Sequence, residues 1–263
     1  MHEETAALAA ARAGVRIDTV NDQHALHDVE NLLARIWQMP SGQGPVPVDV
    51  LRSIAHAGGA VHVAYAGQEP VGASVAFFSA PEDKAVYSLV AAARSSDRGV
   101  GFALKQAQRV WALRRGATTM RWTFDPLVGR NARFNLMKLG AVAREYTVDF
   151  YGAMDDGVQG SDETDRLTAE WTLDIDKLPS EVDAPAEASR LAQEAPDGGP
   201  LVAKDERGLW CRVPADIVAL RRSDPGEASR WRLALREVFV PAFAEGHVAT
   251  GMTRDGWYRL ERQ

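Results

Sequence analysis

The stretch 89–104 carries the residues whose types and spacing could do chemistry. A strand-like run closes on small residues, a short loop follows, and Gly99-Val100-Gly101 opens a helical pattern. The first turn of a helix has backbone N–H groups without intrahelical partners. Together with the helix dipole they attract an anion, and glycines let a phosphate come close. Arg98 adds a fixed positive charge. A second reading stays open, in which Gly-x-Gly at a helix start is turn chemistry alone. A dinucleotide loop of the form G-x-G-x-x-G is disfavoured on two counts. Its third glycine position is Leu104, and the strands before the loop read as antiparallel.

Other chemistry-bearing residues are sparser. His24 and His27 could meet on one helix face, but no third ligand sits near in sequence, so no metal is expected. The single cysteine, Cys211, follows Leu209-Trp210 and reads as buried filler. One cysteine makes no intrachain disulfide, and a reducing, cytoplasmic setting is the plain expectation. The net charge of −6 argues against nucleic acid as the main partner, because phosphate backbones select basic surfaces. No stretch approaches the ~18 apolar residues of a membrane span, and residues 1–13 lack the pattern of a signal peptide, so no membrane partner is expected. With 46% apolar residues in 263, the chain can build a proper core.

The elements that must hold the 89–104 loop follow from hydrophobic period. Residues 1–13 read as a frayed start, and 15–20 as a first strand. Asn21 or Asp22 can cap a helix whose stripe is Val29, Leu32, Leu33, Ile36 and Trp37. After a Gly/Pro-rich loop at 40–47, a second helix covers 48–57. Val61, Val63 and Tyr65, then Val71, Ala73, Val75 and Phe77, alternate around a turn at Gly67-Gln68, which predicts an antiparallel hairpin. A strand at 85–92 leads into the loop. The helix beyond it carries Val100, Ala103, Leu104, Ala107, Val110 and Trp111 as its apolar stripe, and Gly116 stops it. A strand at 118–124, a short helix at 131–139 and strands at 141–151 and 166–173 follow. The prediction is an α+β chain with a mixed sheet and helices packed on it. Composition sets the segments at 1–175, an Asp/Glu/Ala/Pro-rich linker at 176–199, and 200–263. The last holds a hairpin at 201–213, a helix at 226–244 and two short strands.

At this point the sequence resembles the GNAT superfamily of acyl-CoA-dependent N-acyltransferases. The order of elements matches, and Ser96-Asp97-Arg98-Gly99-Val100-Gly101-Phe102-Ala103-Leu104 looks like its pyrophosphate loop, R/Q-x-x-G-x-G/A. Two registers fit. With Gly99 and Gly101 as the pair, Ser96 departs from the usual Arg or Gln; with Gly101 and Ala103 as the pair, Arg98 fills that place. A narrower similarity runs through Trp122-Thr123-Phe124-Asp125-Pro126-Leu127, Asn131-Ala132-Arg133-Phe134-Asn135, Lys138-Leu139-Gly140-Ala141, Tyr151-Gly152, Thr164-Asp165-Arg166-Leu167, Trp231-Arg232, Arg236 and Tyr258-Arg259-Leu260. It is to a branch of predicted GNAT acetyltransferases of unassigned substrate.

The resemblance implies a GNAT-like fold, with a mixed, mostly antiparallel central sheet flanked by helices and a smaller C-terminal α/β subdomain. It implies acetyl-CoA or another acyl-CoA as substrate, held by Arg98, Gly99, Val100, Gly101, Phe102 and Ala103 at the pyrophosphate. Leu89, Val90 and Ala91 would lie along the pantetheine arm and lend an N–H to the thioester oxygen. The partner would be a small-molecule acceptor amine. Asn131 and Asn135 either bond the cofactor arm or cap their helix. Leu136 stands where the superfamily often has a tyrosine acid, so that role is absent or moved. Tyr146 and Tyr151, on the next strand, are either catalytic or structural. Asp125, at the open end of a strand, is either the base or ordinary Asp-Pro turn chemistry. Glu145 and Asp149 share one face and read as solvated. The helix, Gly246, strand, strand pattern at the C-terminus echoes the earlier one around Gly140 and suggests a degenerate half-copy. Its apolar face at Trp231, Leu235 and Phe239 would cover the first sheet, shape the acceptor pocket or make a homodimer contact.

Overall fold

The computed structural model describes residues 2–40, 42–94, 99–152, 162–175, 181–190 and 193–263. By packing, the chain forms two units. The first comprises Met1–Trp122 and Thr172–Ile175, the second Thr123–Trp171 and Asp176–Gln263. This cut follows packing, whereas the boundaries at 175 and 200 follow composition along the chain.

The first unit contains α1 (His2–Ala13), β1 (Arg16–Thr19), α2 (Gln23–Trp37), α3 (Val48–His56), β2 (Ala60–Ala66), β3 (Glu69–Phe78), β4 (Ala85–Ala93), α4 (Val100–Leu113) and most of β5 (Thr119–Phe124). Its strands stand in the order β1-β2-β3-β4-β5. All neighbours are antiparallel except β4 and β5, which run parallel. The alternation of β2 and β3 separates two cores. Val61, Val63, Ala73 and Val75 pack on Leu26, Val29, Leu32, Leu33 and Leu51 of α2 and α3. Ala64 faces the other way, onto Val100 and Leu104 of α4. Asp22 caps α2, its Oδ1 accepting from the Ala25 N–H at 3.0 Å.

One expectation fails at the start of this unit. Residues 2–13 are helical, not frayed. The segment is alanine-rich, with Glu3 and Glu4 in its first turn and Arg12 in its last, which suits both helix propensity and the dipole.

The second unit holds α5 (Gly129–Arg133), β6 (Val142–Thr147), β7 (Arg166–Thr172), β8 (Val202–Asp205), β9 (Gly208–Arg212), α6 (Ile217–Ser223), α7 (Pro225–Ala244), β10 (His247–Met252) and β11 (Trp257–Arg262). The predicted helix at 131–139 is two pieces: α5 gives way to a π-helical turn, Phe134–Lys138, in which the Leu139 N–H reaches the Phe134 carbonyl at 3.1 Å. The strand order is β7-β6-β10-β11-β9-β8, antiparallel throughout. The helix–Gly246–β10–β11 segment thus stands beside the helix–Gly140–β6–β7 segment, with Ala249 opposite Ala143. α6 was not expected; Asp216 caps it by accepting from the Ala219 N–H. Among the described residues no helix is long and apolar enough to cross a membrane.

Candidate functional site

The parallel pair β4–β5 is short. Ala85, Val86 and Tyr87 pair with Thr119, Met120 and Arg121, and the pairing stops there, while β4 runs on to Ala93. On its other side β4 remains paired to β3, with a bulge at Leu89: Val75 faces Val90, but Ala76 faces Ser88. From Leu89 onward burial falls, and Ala91 is exposed. The first unit therefore presents a run of β4 backbone, including Leu89, Val90 and Ala91, with one edge unpaired.

Helix α4 begins beside this edge. Its N-cap, Gly99, has φ +79°, a left-handed conformation that favours glycine, and no side chain caps the helix. The Ala103 N–H already bonds the Gly99 carbonyl, at 3.0 Å. The N–H groups of Val100, Gly101 and Phe102 are those a helix start leaves for an outside acceptor. A Cβ at Gly101 would meet nothing within 4 Å, so the first turn faces open space. Arg98 and Ser96, which distinguish the two loop registers, lie outside the described residues. A glycine not foreseen from sequence sets the approach of α4 to the sheet. A Cβ on Gly72 of β3 would stand 2.8 Å from Val100 Cγ1, 3.0 Å from Leu104 Cδ1 and 3.1 Å from the Ala92 carbonyl.

Beneath the point where β4 and β5 stop pairing lies a polar group, also not foreseen. Lys105 Nζ donates to Ser88 Oγ at 2.9 Å, and Ser88 Oγ donates to Gln108 Oε1 at 2.9 Å. Nζ also stands 3.8 Å from the centre of the Trp122 ring and 4.0 Å from Met120 Sδ. Lys105 is 4% exposed and Gln108 0%, and the Gln108 amide nitrogen has no hydrogen-bond partner. Burial, with no anion to oppose it, pushes the Lys105 ammonium down to about 7. The sequence reading of α4 named only its apolar stripe, and Lys105, Gln108 and Arg109 lie outside it. They are buried because the helix also packs against neighbours beyond that stripe. The Arg109 guanidinium donates to the carbonyls of Leu173 at 2.6 Å and Ile175 at 3.2 Å. A separate pocket of about 470 Å³, lined by Ile17, Thr19, His62, Trp111 and Arg115 among others, contains none of the candidate residues. Burial first and Arg115 second push the His62 imidazole down to about 4, so it is neutral.

The second unit holds the other candidates. Asp125 is not free to act as a base. Its carboxylate accepts from Arg232 at 3.0 Å and Arg221 at 2.5 Å, and its Oδ1 also takes the Leu127 N–H at 3.0 Å. Burial pushes its pKa up, but the Arg232 and Arg221 guanidiniums outweigh burial and hold it well below the usual carboxylate range. Asp162 completes the network, accepting from Arg221 at 2.8 Å and Arg232 at 2.9 Å. Tyr146 is tied as well. Its hydroxyl donates to Asp165, its ring packs edge-on to Phe239, and burial followed by that bond pushes the phenol well up. These partners argue against both catalytic roles. Asn131 is exposed in the middle of α5, whereas Asn135 is buried in the π-helical turn, so the pair does not share one environment. Leu136 is fully buried. Glu145 and Asp149 are both exposed, as expected, but Asp149 does not share the strand face: it lies past the end of β6 with φ +46°, and its Oδ1 accepts from the Thr164 N–H at 3.2 Å.

No family model matches the sequence, and no curated protein matches it. Solved structures do. An N-acetyltransferase from Staphylococcus aureus Mu50 superposes with a TM-score of 0.50 at 12% identity, over 60% of this chain and 98% of that one. The chain has the fold of the GNAT N-acetyltransferases. Two further matches lie just below that score: Ard1 from Thermoplasma volcanium (TM-score 0.48, 16% identity, 60% and 97% covered) and an aminoglycoside 6'-acetyltransferase type Ii (0.48, 16%, 62% and 99%). In this GNAT fold the sheet is mixed and largely antiparallel, as the sequence predicted. The elements to which the resemblance assigned acyl-CoA contacts are the bulged, half-free β4 and the glycine-opened α4.

Proposed function

We propose that the protein is an N-acyltransferase. It would move an acyl group, in the simplest case acetyl, from acyl-CoA to the amine of a small molecule by direct attack on the thioester. The observation that carries this reading is the unpaired edge of β4 beside the uncapped, glycine-opened start of α4. An extended arm with amide groups can continue a free strand edge through main-chain hydrogen bonds. Its pyrophosphate would then meet the amides of Val100, Gly101 and Phe102, the Ala103 N–H being taken by Gly99, with Arg98 as a charged neighbour. Along the arm, Leu89, Val90 and Ala91 would supply the edge, and an N–H from this stretch would steady the oxyanion formed on attack. No metal enters this chemistry. The buried, unpaired thiol of Cys211 supports a reducing, cytoplasmic setting for it.

A second reading, a non-catalytic acyl-CoA-binding module, draws on Leu136, fully buried where the superfamily often has its tyrosine acid, and on the tethered Tyr146. Calorimetry with acetyl-CoA tests what the two share; absence of binding below millimolar sinks both. Thiol release across a panel of amines separates them, since turnover with any acceptor excludes pure binding. The site itself is tested by Gly101→Asp, which sets a carboxylate in the open space at the helix start. Acetyl-CoA affinity should fall about 10-fold or more, because like charge at a helix N-terminus opposes an anion.

A further inference from the structure

The Lys105 cluster fits neither a solvated face nor an ion pair. Its ammonium is buried, and its recorded partners are one hydroxyl, one thioether and one ring face. The groups facing it from β4 and β5, Ser88, Met120 and Trp122, carry no charge. On α4 the adjacent Arg109 turns its guanidinium to the carbonyls of Leu173 and Ile175. A buried charge held this way is unstable as a charge, and burial favours releasing its proton. Its place is specific. The serine it holds, Ser88, is the first β4 residue past the end of pairing with β5, and the next residue is the bulge at Leu89. An acyl thioester laid along the free edge would have its sulfur near the point where the β4–β5 pairing ends. The unpartnered Gln108 amide in the same cluster marks a polar site left unsatisfied by the protein's own groups.

We infer that Lys105 is the proton donor to the departing thiolate, in the place of the tyrosine that Leu136 does not supply. The inference rests on the acyltransferase reading above. In the step, the acceptor nitrogen bonds to the thioester carbon, the C–S bond breaks, and its electron pair stays on sulfur. The Lys105 ammonium gives its proton to sulfur and becomes a neutral amine. The proton lost by the acceptor nitrogen returns through solvent to the lysine, so the balance is amide plus free thiol. With its pKa near 7, the ammonium is a stronger acid than an ordinary thiol, which has a pKa of about 8.5, so the transfer runs downhill.

The test compares wild type with Lys105→Met, using acetyl-CoA and an amine that supports thiol release. An acid role lowers kcat about 100-fold or more in the variant while the acetyl-CoA Kd stays within about threefold. It also gives wild-type kcat a descending limb above pH about 7 that the variant lacks. A variant kcat within about threefold of wild type overturns the inference, as does a wild-type kcat that rises through this range to a plateau. The wild-type profile decides the matter even if Lys105→Met does not fold, because a structural lysine produces no such limb. Failure of the underlying reading shows elsewhere: wild type then releases no thiol with any amine, and the inference falls with it.

Discussion

The two units bury charge in opposite ways. In the second, Asp125, Asp162, Arg221 and Arg232 are all at least nine-tenths buried, and each carboxylate meets both guanidiniums within 3.2 Å. Asp165 beside them is claimed by Arg236, at 2.7 Å, and by the Tyr146 hydroxyl. In the first unit Lys105 is as deeply buried, with no carboxylate among its recorded partners. A paired buried charge is fixed in its charged form, because removing either partner strands the other. An unpaired one is poised to change protonation state. Depth of burial alone does not mark a functional residue; the partners do.

The largest effect should come from breaking the pairing. Arg232→Met leaves two buried carboxylates sharing Arg221, and should cost about 3–5 kcal/mol in urea unfolding. The sign with pH follows from Asp125, whose pKa is depressed in the folded state. Its contribution is present above the ordinary carboxylate range near pH 4 and is lost only as pH falls through the lower folded value. The stability gap between wild type and variant should therefore be full above about pH 4 and narrow as the pH falls below it.

Lys105→Met should move stability the other way, by about 1–4 kcal/mol upward, since an apolar side chain of similar length replaces an unpaired buried charge. Here the folded pKa is about 7, below the ordinary lysine value of about 10.4. Folding then forces the proton off across this window, and wild-type stability rises with pH between the two values. The advantage of Met should be full at and below pH 7 and shrink toward pH 10, as read from melting curves across that range. Gly72→Ala probes the packing of α4 on β3. Its Cβ would press on Val100 and Leu104, so α4 must shift, at about 1–3 kcal/mol.

How much of this was legible follows the range of each interaction. Period 2 in β2 and β3 and the stripe of α2 are local, and both stand where the sequence put them, except that Val71, at the bulge between β2 and β3, packs on the α4 side. The loop-to-α4 glycines were legible because φ > 0 and helix starts are local too. The network around Asp125 was not, since its arginines come from α6 and α7, far along the chain, and nothing near Asp125 announces them. The Lys105 cluster escaped because a helix covered on more than one side buries residues outside its apolar stripe. The π-helical turn at 134–138 escaped because period 3.6 does not distinguish an α-turn from one residue more. The domain boundaries at 175 and 200, and the half-copy around Gly246, remain proposals from pattern.

Tyr146 offers the finest test of the contrast between the units. As a catalytic phenol it would need its proton free for sulfur; instead the hydroxyl donates to Asp165, which also takes Arg236 at 2.7 and 3.0 Å. Asp165 keeps that guanidinium and the Asp149 N–H, at 3.0 Å, if the phenol is removed. Tyr146→Phe preserves the ring against Phe239 and deletes one hydrogen bond, so the loss should be about 1 kcal/mol. Thiol release should keep its wild-type kcat. A fall in kcat of about 100-fold with stability unchanged would reverse the assignment, making the second unit the source of the proton and Lys105 a structural lysine.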